Sequence, residues 1–149
     1  YRDIYQDVNG EPAPPPIVVG FTVCHEDEET AREMASEYIG NYWDSIMDHY
    51  EFHSDHLKET KGYEYYGKFT EKIEQYGDQD VKDFFLDLQV WGTPEQCYEK
   101  IMKTRGRTGS ESYLAAFSFG GMPYDEVEKS MKLFAEKVMP RLKEVPAAV

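Results

Sequence analysis

The chain has 149 residues, 40% of them hydrophobic and 15% aromatic, which is enough for one domain with a real core. Its formal charge of −13 excludes a nucleic-acid partner, since binding a polyphosphate depends on neutralising it with Lys and Arg. No stretch approaches the roughly 18 unbroken apolar residues of a membrane helix, and nothing at Tyr1 resembles a signal peptide, so a soluble, cytoplasmic protein without a membrane partner is predicted.

Residues 1–16 have few periodic apolar positions and end in Pro12-Ala13-Pro14-Pro15-Pro16, the composition of a linker or strand lead-in. Residues 17–149 then form the domain. Ile17-Val18-Val19-Gly20-Phe21-Thr22-Val23-Cys24 is a nearly continuous β-branched and apolar run, suited to a strand buried on both faces of a parallel sheet. The acidic stretch Glu26 to Glu29 suits the positive end of a helix beginning near Asp27. Ala31, Met34, Ala35, Tyr38, Tyr42, Ile46 and Tyr50 keep helical spacing along it, and Ile39 and Trp43 widen the stripe. Ser54 to Asp78, rich in Tyr and broken by Gly62, Gly67 and Gly77, is expected to be loop with short helical pieces.

A second strand is expected at Gln89-Val90-Trp91, stopping at Gly92. Thr93-Pro94-Glu95-Gln96 is a helix start with a cap, a proline at the first position and a capping-box Gln; that helix should run to about Thr104 with Cys97, Tyr98, Ile101 and Met102 inward. A third strand is predicted over Ser112 to Phe119, closed by Gly120-Gly121. A final helix from about Tyr124 to Leu142 should bury Val127, Met131, Phe134, Ala135, Val138 and Leu142. Three buried-type strands, each followed by an amphipathic helix on one outer side, read as consecutive right-handed βα units of a parallel sheet. Three strands are few for an open doubly wound sheet and fewer than the eight of a barrel, so the expectation is a larger fold of which this is the C-terminal portion.

Trp91-Gly92-Thr93-Pro94-Glu95-Gln96-Cys97, Phe119-Gly120-Gly121-Met122-Pro123 and the ending Ser130-Met131-Lys132-Leu133-Phe134-Ala135-Glu136-Lys137-Val138-Met139-Pro140 together resemble the bacterial luciferase-like monooxygenases. The resemblance covers about residues 17 to 145 and is most specific from Asp87 to Leu142. It implies the α/β fold of a (β/α)8 TIM barrel, of which this chain would supply about strands 6 to 8. It also implies an enzyme that uses reduced flavin, FMN or in some branches F420, and oxygen to oxidise a small organic substrate. Nothing here corresponds to strands one to five, which provide most flavin contacts in that family, so the chain alone is expected to be inactive. It should associate with itself as a homo-oligomer or with the missing barrel half, offering Val19, Phe21, Phe117 and Phe119 as candidate surface.

Gly120 and Gly121 sit where a barrel's last strand opens onto the face that carries active sites, and the helix after them aims its positive end there, so they are candidates for flavin contact. A tight turn is the plainer reading. Trp91, Phe119 and Met122 are candidates for substrate contact, although core packing explains Trp91 better. His49, His53 and His56 have metal-like spacing, but the HExxH pattern is missing and a polar helix end explains them, so no metal is expected. Tyr63, Tyr65, Tyr66 and Tyr76 could roof an apolar substrate or lie half-buried under a loop. Cys24 and Cys97 match no disulfide framework or CxxC motif and read as buried, reduced thiols. No nucleophilic triad is recognisable. The alternative to the enzyme is a non-catalytic, truncated barrel relative that serves as an oligomerisation or partner-binding module.

Overall fold

The computed structural model describes residues 1–146 apart from His53 and Asp55, and for Glu64 and Thr70 the backbone. Three parallel strands organise it: β1 (Ile17–Cys24), β2 (Val90–Gly92) and β3 (Ser112–Ala116), in the order β2-β1-β3. β3 pairs with the first part of β1, Ile17 opposite Ser112 through Phe21 opposite Ala116. β2 pairs with its end, Thr22 opposite Val90 through Cys24 opposite Gly92. Consecutive units of a closed barrel stand side by side in chain order. Here the first strand, not the second, stands in the middle.

That order decides where the helices go. The crossover from β1 to β2 runs one way and the return from β2 to β3 passes back across β1, so right-handed connections place their helices on opposite faces. The expectation of one outer side is thus corrected. Cys24 and Val90 point into a cluster with Cys97, Ile101, Phe134 and Val138 of the later helices. Val23 points the other way, into a cluster with Ala35, Ile39, Phe119, Met122 and Val127.

The helix after β1 begins as sequence predicts: Asp27 is its cap, its carboxylate accepting from the Thr30 N–H at 2.8 Å. It runs as α2 (Glu28–Met34), a π-helical segment (Ala35–Ile39) and α3 (Gly40–His49). Its buried positions Ala31, Ala35, Ile39, Trp43 and Met47 recur every four residues. α3 then packs into an aromatic annex with α4 (His56–Glu59), α5 (Glu64–Tyr76) and α6 (Asp78–Asp87), whose core is Trp43, Met47, Phe52, Leu57 and Ile73. Loop was expected over most of this stretch. The helices form because Phe69, Ile73, Val81 and Phe85 find the Trp43 surface, a partner far away in sequence.

α7 (Pro94–Thr108) starts with the predicted capping box: the Gln96 N–H donates to Thr93 Oγ1, and Gln96 Oε1 accepts from the Thr93 N–H. It outruns the expected end at Thr104 and stops at Gly109, which adopts the left-handed conformation. β3 stops at Ala116 rather than Phe119. The final helix is two, α8 (Tyr124–Lys137) and α9 (Met139–Lys143), broken at Val138 just ahead of Pro140, which lacks an N–H for the ladder. Its predicted face is partly corrected: Val127, Phe134 and Val138 are buried and Leu142 half-buried, but Met131 and Ala135 are exposed. The lead-in also differs, since Arg2–Asn9 form a helix, α1, closed by left-handed Gly10 and tied down where Arg2 donates to the Thr108 carbonyl at 3.0 Å. No helix among the described residues is long and apolar enough to cross a membrane.

Candidate functional site

The C-terminal ends of the three strands carry His25, Trp91-Gly92 and the irregular stretch from Phe117 to Pro123. Sequence singled out Trp91, Phe119, Gly120, Gly121 and Met122, and the fold does bring them together. Phe119 and Met122 lie inside the core, Trp91 and Gly120 are half-buried and Gly121 is exposed. Phe119 and Met122 are buried against Val23, Ala35, Ile39 and Val127, with Trp91 packed on the same cluster. Phe119 also stacks at a tilt on Phe21, centroids 4.6 Å apart, and Phe21 on Tyr42 at 4.4 Å. These side chains fill the space between the strand ends.

Gly120 and Gly121 both have positive φ, 59° and 80°. At Gly120 the requirement is steric as well: a Cβ would lie 1.8 Å from the carbonyl oxygen of Tyr38, in the π-helical segment. The Gly120 carbonyl accepts from Asn41 Nδ2 at 3.2 Å, and the Met122 N–H donates to the Phe119 carbonyl at 3.0 Å. The glycine loop therefore serves a tight turn pressed against α2–α3, whereas nothing lies within 4 Å of a Cβ at Gly121.

Trp91 is held from two sides. Its indole N–H donates to the Leu86 carbonyl at 2.9 Å, and Lys100 Nζ stands 3.7 Å from its ring centroid. Burial pulls the Lys100 ammonium below its ordinary pKa, with Asp87 opposing the change. Sequence reasoning did not find this pair, because the contact joins a strand end to the second turn of a helix and has no local spacing. Gln89 was missed for a similar reason: its side chain accepts from the Phe21 N–H at 3.1 Å and donates to the Phe85 carbonyl at 3.2 Å, closing the sheet edge above β2.

The opposite side of the sheet holds a polar pair, Tyr113 Oη and Thr22 Oγ1, 3.0 Å apart. Burial pushes the Tyr113 phenol up to about 12, against the Thr22 hydrogen bond, which acts to lower it. Of the candidate metal histidines, His53 lies outside the described residues; His49 packs edge-on to Tyr50, and His56 bonds Ser54. Among the described residues no group of three or more His, Cys, Asp or Glu could hold a metal ion. Tyr63, Tyr65, Tyr66 and Tyr76 are exposed on and beside α5, Tyr66 with its ring 6.0 Å from Phe52.

The family model for luciferase-like monooxygenases matches residues 2–111. The chain belongs to that family. Among its relatives is the alkanal monooxygenase alpha chain of Photorhabdus laumondii subsp. laumondii, 30% identical over 127 residues, covering 83% of this chain and 35% of the relative. The protein of the same name from Photobacterium leiognathi is 31% identical over 131 residues, covering 86% and 36%. This chain thus spans about a third of the length of these luciferase-like relatives. A crystal structure of the monooxygenase RslO1 from Streptomyces bottropensis shares the fold, with a TM-score of 0.55 at 19% identity over 93% of this chain and 36% of that one. The family match takes in α1 and the annex, which sequence reasoning had set aside as lead-in and loop. It ends at Glu111, before the glycine loop.

Proposed function

We propose that this chain is a portion of a flavin-dependent luciferase-like monooxygenase, supplying C-terminal βα units to a (β/α)8 barrel that oxidises a small organic substrate. The observation that carries the reading is the family match over residues 2–111, supported by the three parallel strands. In a bound state the flavin, FMN or F420, would supply the redox chemistry. Of the two residues nominated to hold it, Gly120 is pressed against the Tyr38 carbonyl, while Gly121 is exposed with open space where a Cβ would be. Phe119 and Met122, nominated for substrate, are buried in the chain's own core. This chain's part is structural: it would provide the wall and the strand ends, with residues 1–16 belonging to the barrel rather than leading into it.

The barrel reading has a specific requirement. β2 must stand between β1 and β3, so the ladder from Ile17–Ser112 to Phe21–Ala116 must be exchanged for new pairings. Flavin titration tests the reading: the chain alone should bind FMN no tighter than millimolar, and binding should appear once the chain is covalently continuous with a luciferase-like N-terminal barrel half. Micromolar binding by the chain alone would place the flavin contacts here after all. No binding by the joined protein would reject the enzyme.

One observation favours the alternative of a non-catalytic partner-binding module. Ile17, Val19 and Leu114 share one face of the β1–β3 pair and are 70%, 62% and 56% exposed, an apolar strip of the kind that association covers. Of the other residues nominated for that surface, Phe21 and Phe117 are half-buried and Phe119 is buried. A dimer that forms through this strip while the joined protein shows no flavin binding would favour the module.

A further inference from the structure

The chain has two cysteines, far apart in sequence, and the fold puts them in one place. Cys24 ends β1 and Cys97 sits in the first turns of α7; they are 2% and 0% exposed and share a cluster with Val90, Ile101, Phe134 and Val138. Cys97 Sγ lies 3.6 Å from the carbonyl of Val23, the residue before Cys24, and equally far from the carbonyl of Gly92. The two thiols are neighbours in that cluster and each alters the other's ionisation, Cys97 acting to lower Cys24 and Cys24 to raise Cys97. Packing explains one buried cysteine as a small hydrophobe. It does not call for a second sulfur in the same cluster.

We propose that Cys24 and Cys97 are an oxidation site, at which hydrogen peroxide converts the thiol pair to an intramolecular disulfide that locks β1 to α7. In the first step the Cys24 sulfur attacks a peroxide oxygen, the O–O bond breaks, and a sulfenic acid and one water form. In the second, the Cys97 sulfur attacks the Cys24 sulfur, the S–O bond breaks, and the hydroxyl leaves as water with the Cys97 proton. Two thiols and one peroxide give one disulfide and two waters.

Cys24 is the sulfur oxidised first because its neighbour Cys97 acts to favour its thiolate, while Cys24 and burial together hold the proton on Cys97 until it attacks. The shared cluster makes the second step intramolecular, so it outruns a second peroxide. Burial keeps a thiol of another molecule away. Because access requires the first turn of α7 to open, oxidation should be slow in the folded protein. The cross-link joins positions distant in the chain and removes freedom from the unfolded state, so the oxidised protein should resist denaturant better.

The experiment treats the full chain with hydrogen peroxide, then unfolds it in an alkylating reagent and measures intact mass and peptides. Untreated protein should take up two alkyl groups. Treated protein should take up none, lose the mass of two hydrogens, yield a linked Cys24–Cys97 peptide and show a higher urea midpoint. Sulfoxide at the exposed Met131 and Met139 confirms that the peroxide was active. Cys97→Ser should stop at a Cys24 sulfenic acid trapped by dimedone, with no rise in midpoint; Cys24→Ser should form neither product. Sulfinic acid in place of the linked peptide, a disulfide-linked dimer, or both thiols still alkylated after Met131 is oxidised would each overturn the proposal.

Discussion

The sheet layer around β1 and the aromatic annex of α3 to α6 both bury well-formed cores, but they are specified at different ranges. On the sheet side, local signals do much of the work: a β-branched run, an Asp cap at Asp27, a capping box at Thr93 and a left-handed glycine at Gly109. In the annex such signals are sparse. α5 has no side-chain cap, α6 starts from an uncapped Gly77, and the helices depend on large side chains meeting: Trp43 on Phe85 at 5.1 Å and on Phe69 at 6.0 Å, Phe52 on Phe69 at 5.3 Å. A segment whose structure comes from distant contacts should therefore melt as a unit when its anchor is removed, while locally specified elements lose stability in smaller steps.

Trp43→Ala gives the largest effect and the sharpest test. Truncating this buried side chain should cost about 4 kcal/mol, with hydrogen-exchange protection lost across α4, α5 and α6 and retained in β1. Uniform loss of protection would mean that annex and sheet fold as one unit through Phe85, which touches both clusters. Gly120→Ala probes the seam between the regions. A side chain at φ 59° facing the Tyr38 carbonyl strains the loop and pushes on the π-helical segment, and should lower stability by about 2 kcal/mol or more. An unchanged urea midpoint would show that the loop relaxes freely. The smallest expected effect is that of Thr93→Ala, about 1 kcal/mol for the loss of one cap, with the annex untouched.

Base should also separate the regions. Tyr113 ionises near pH 10 in the unfolded chain and is pushed up to about 12 when folded, so the folded state holds its proton longer. Its contribution is therefore present below pH 10 and is lost as pH rises through the window from 10 to 12, because the unfolded state alone gains from ionising there. Tyr113→Phe should flatten the fall in stability across that window, as measured by urea unfolding at stepped pH. An equally steep fall in the variant would assign it to other groups.

The same contrast explains what was legible in the sequence. β1 was readable to the residue, and so was the capping box at Thr93, because each is contained in a few neighbouring side chains. The annex helices were not, since Tyr-rich and Gly-punctuated stretches look like loops until the Trp43 surface is present. α1 was hidden by the prolines that follow it. Strand order is a long-range property that no local pattern carries. At the candidate site, Trp91, Phe119, Gly120, Gly121 and Met122 lie at the strand ends where chain order puts them, but that order could not tell a pocket from a filled core. That distinction rests on Ile39, Tyr38 and Tyr42 arriving from another helix.

The π-helical segment at Ala35–Ile39 works as a phase corrector. At 3.6 residues per turn, each four-residue step advances the buried stripe by about 40°, so four steps in a regular helix would leave Met47 turned well away from Ala31. A wider turn midway subtracts from that advance and lets one rod serve the sheet with its first half and the annex with its second. The relative setting of the two cores is thus encoded by a single residue of backbone length. Point substitutions in 35–39 can change what the rod touches, but only an insertion or deletion there can change the angle at which it hands the chain from one core to the other.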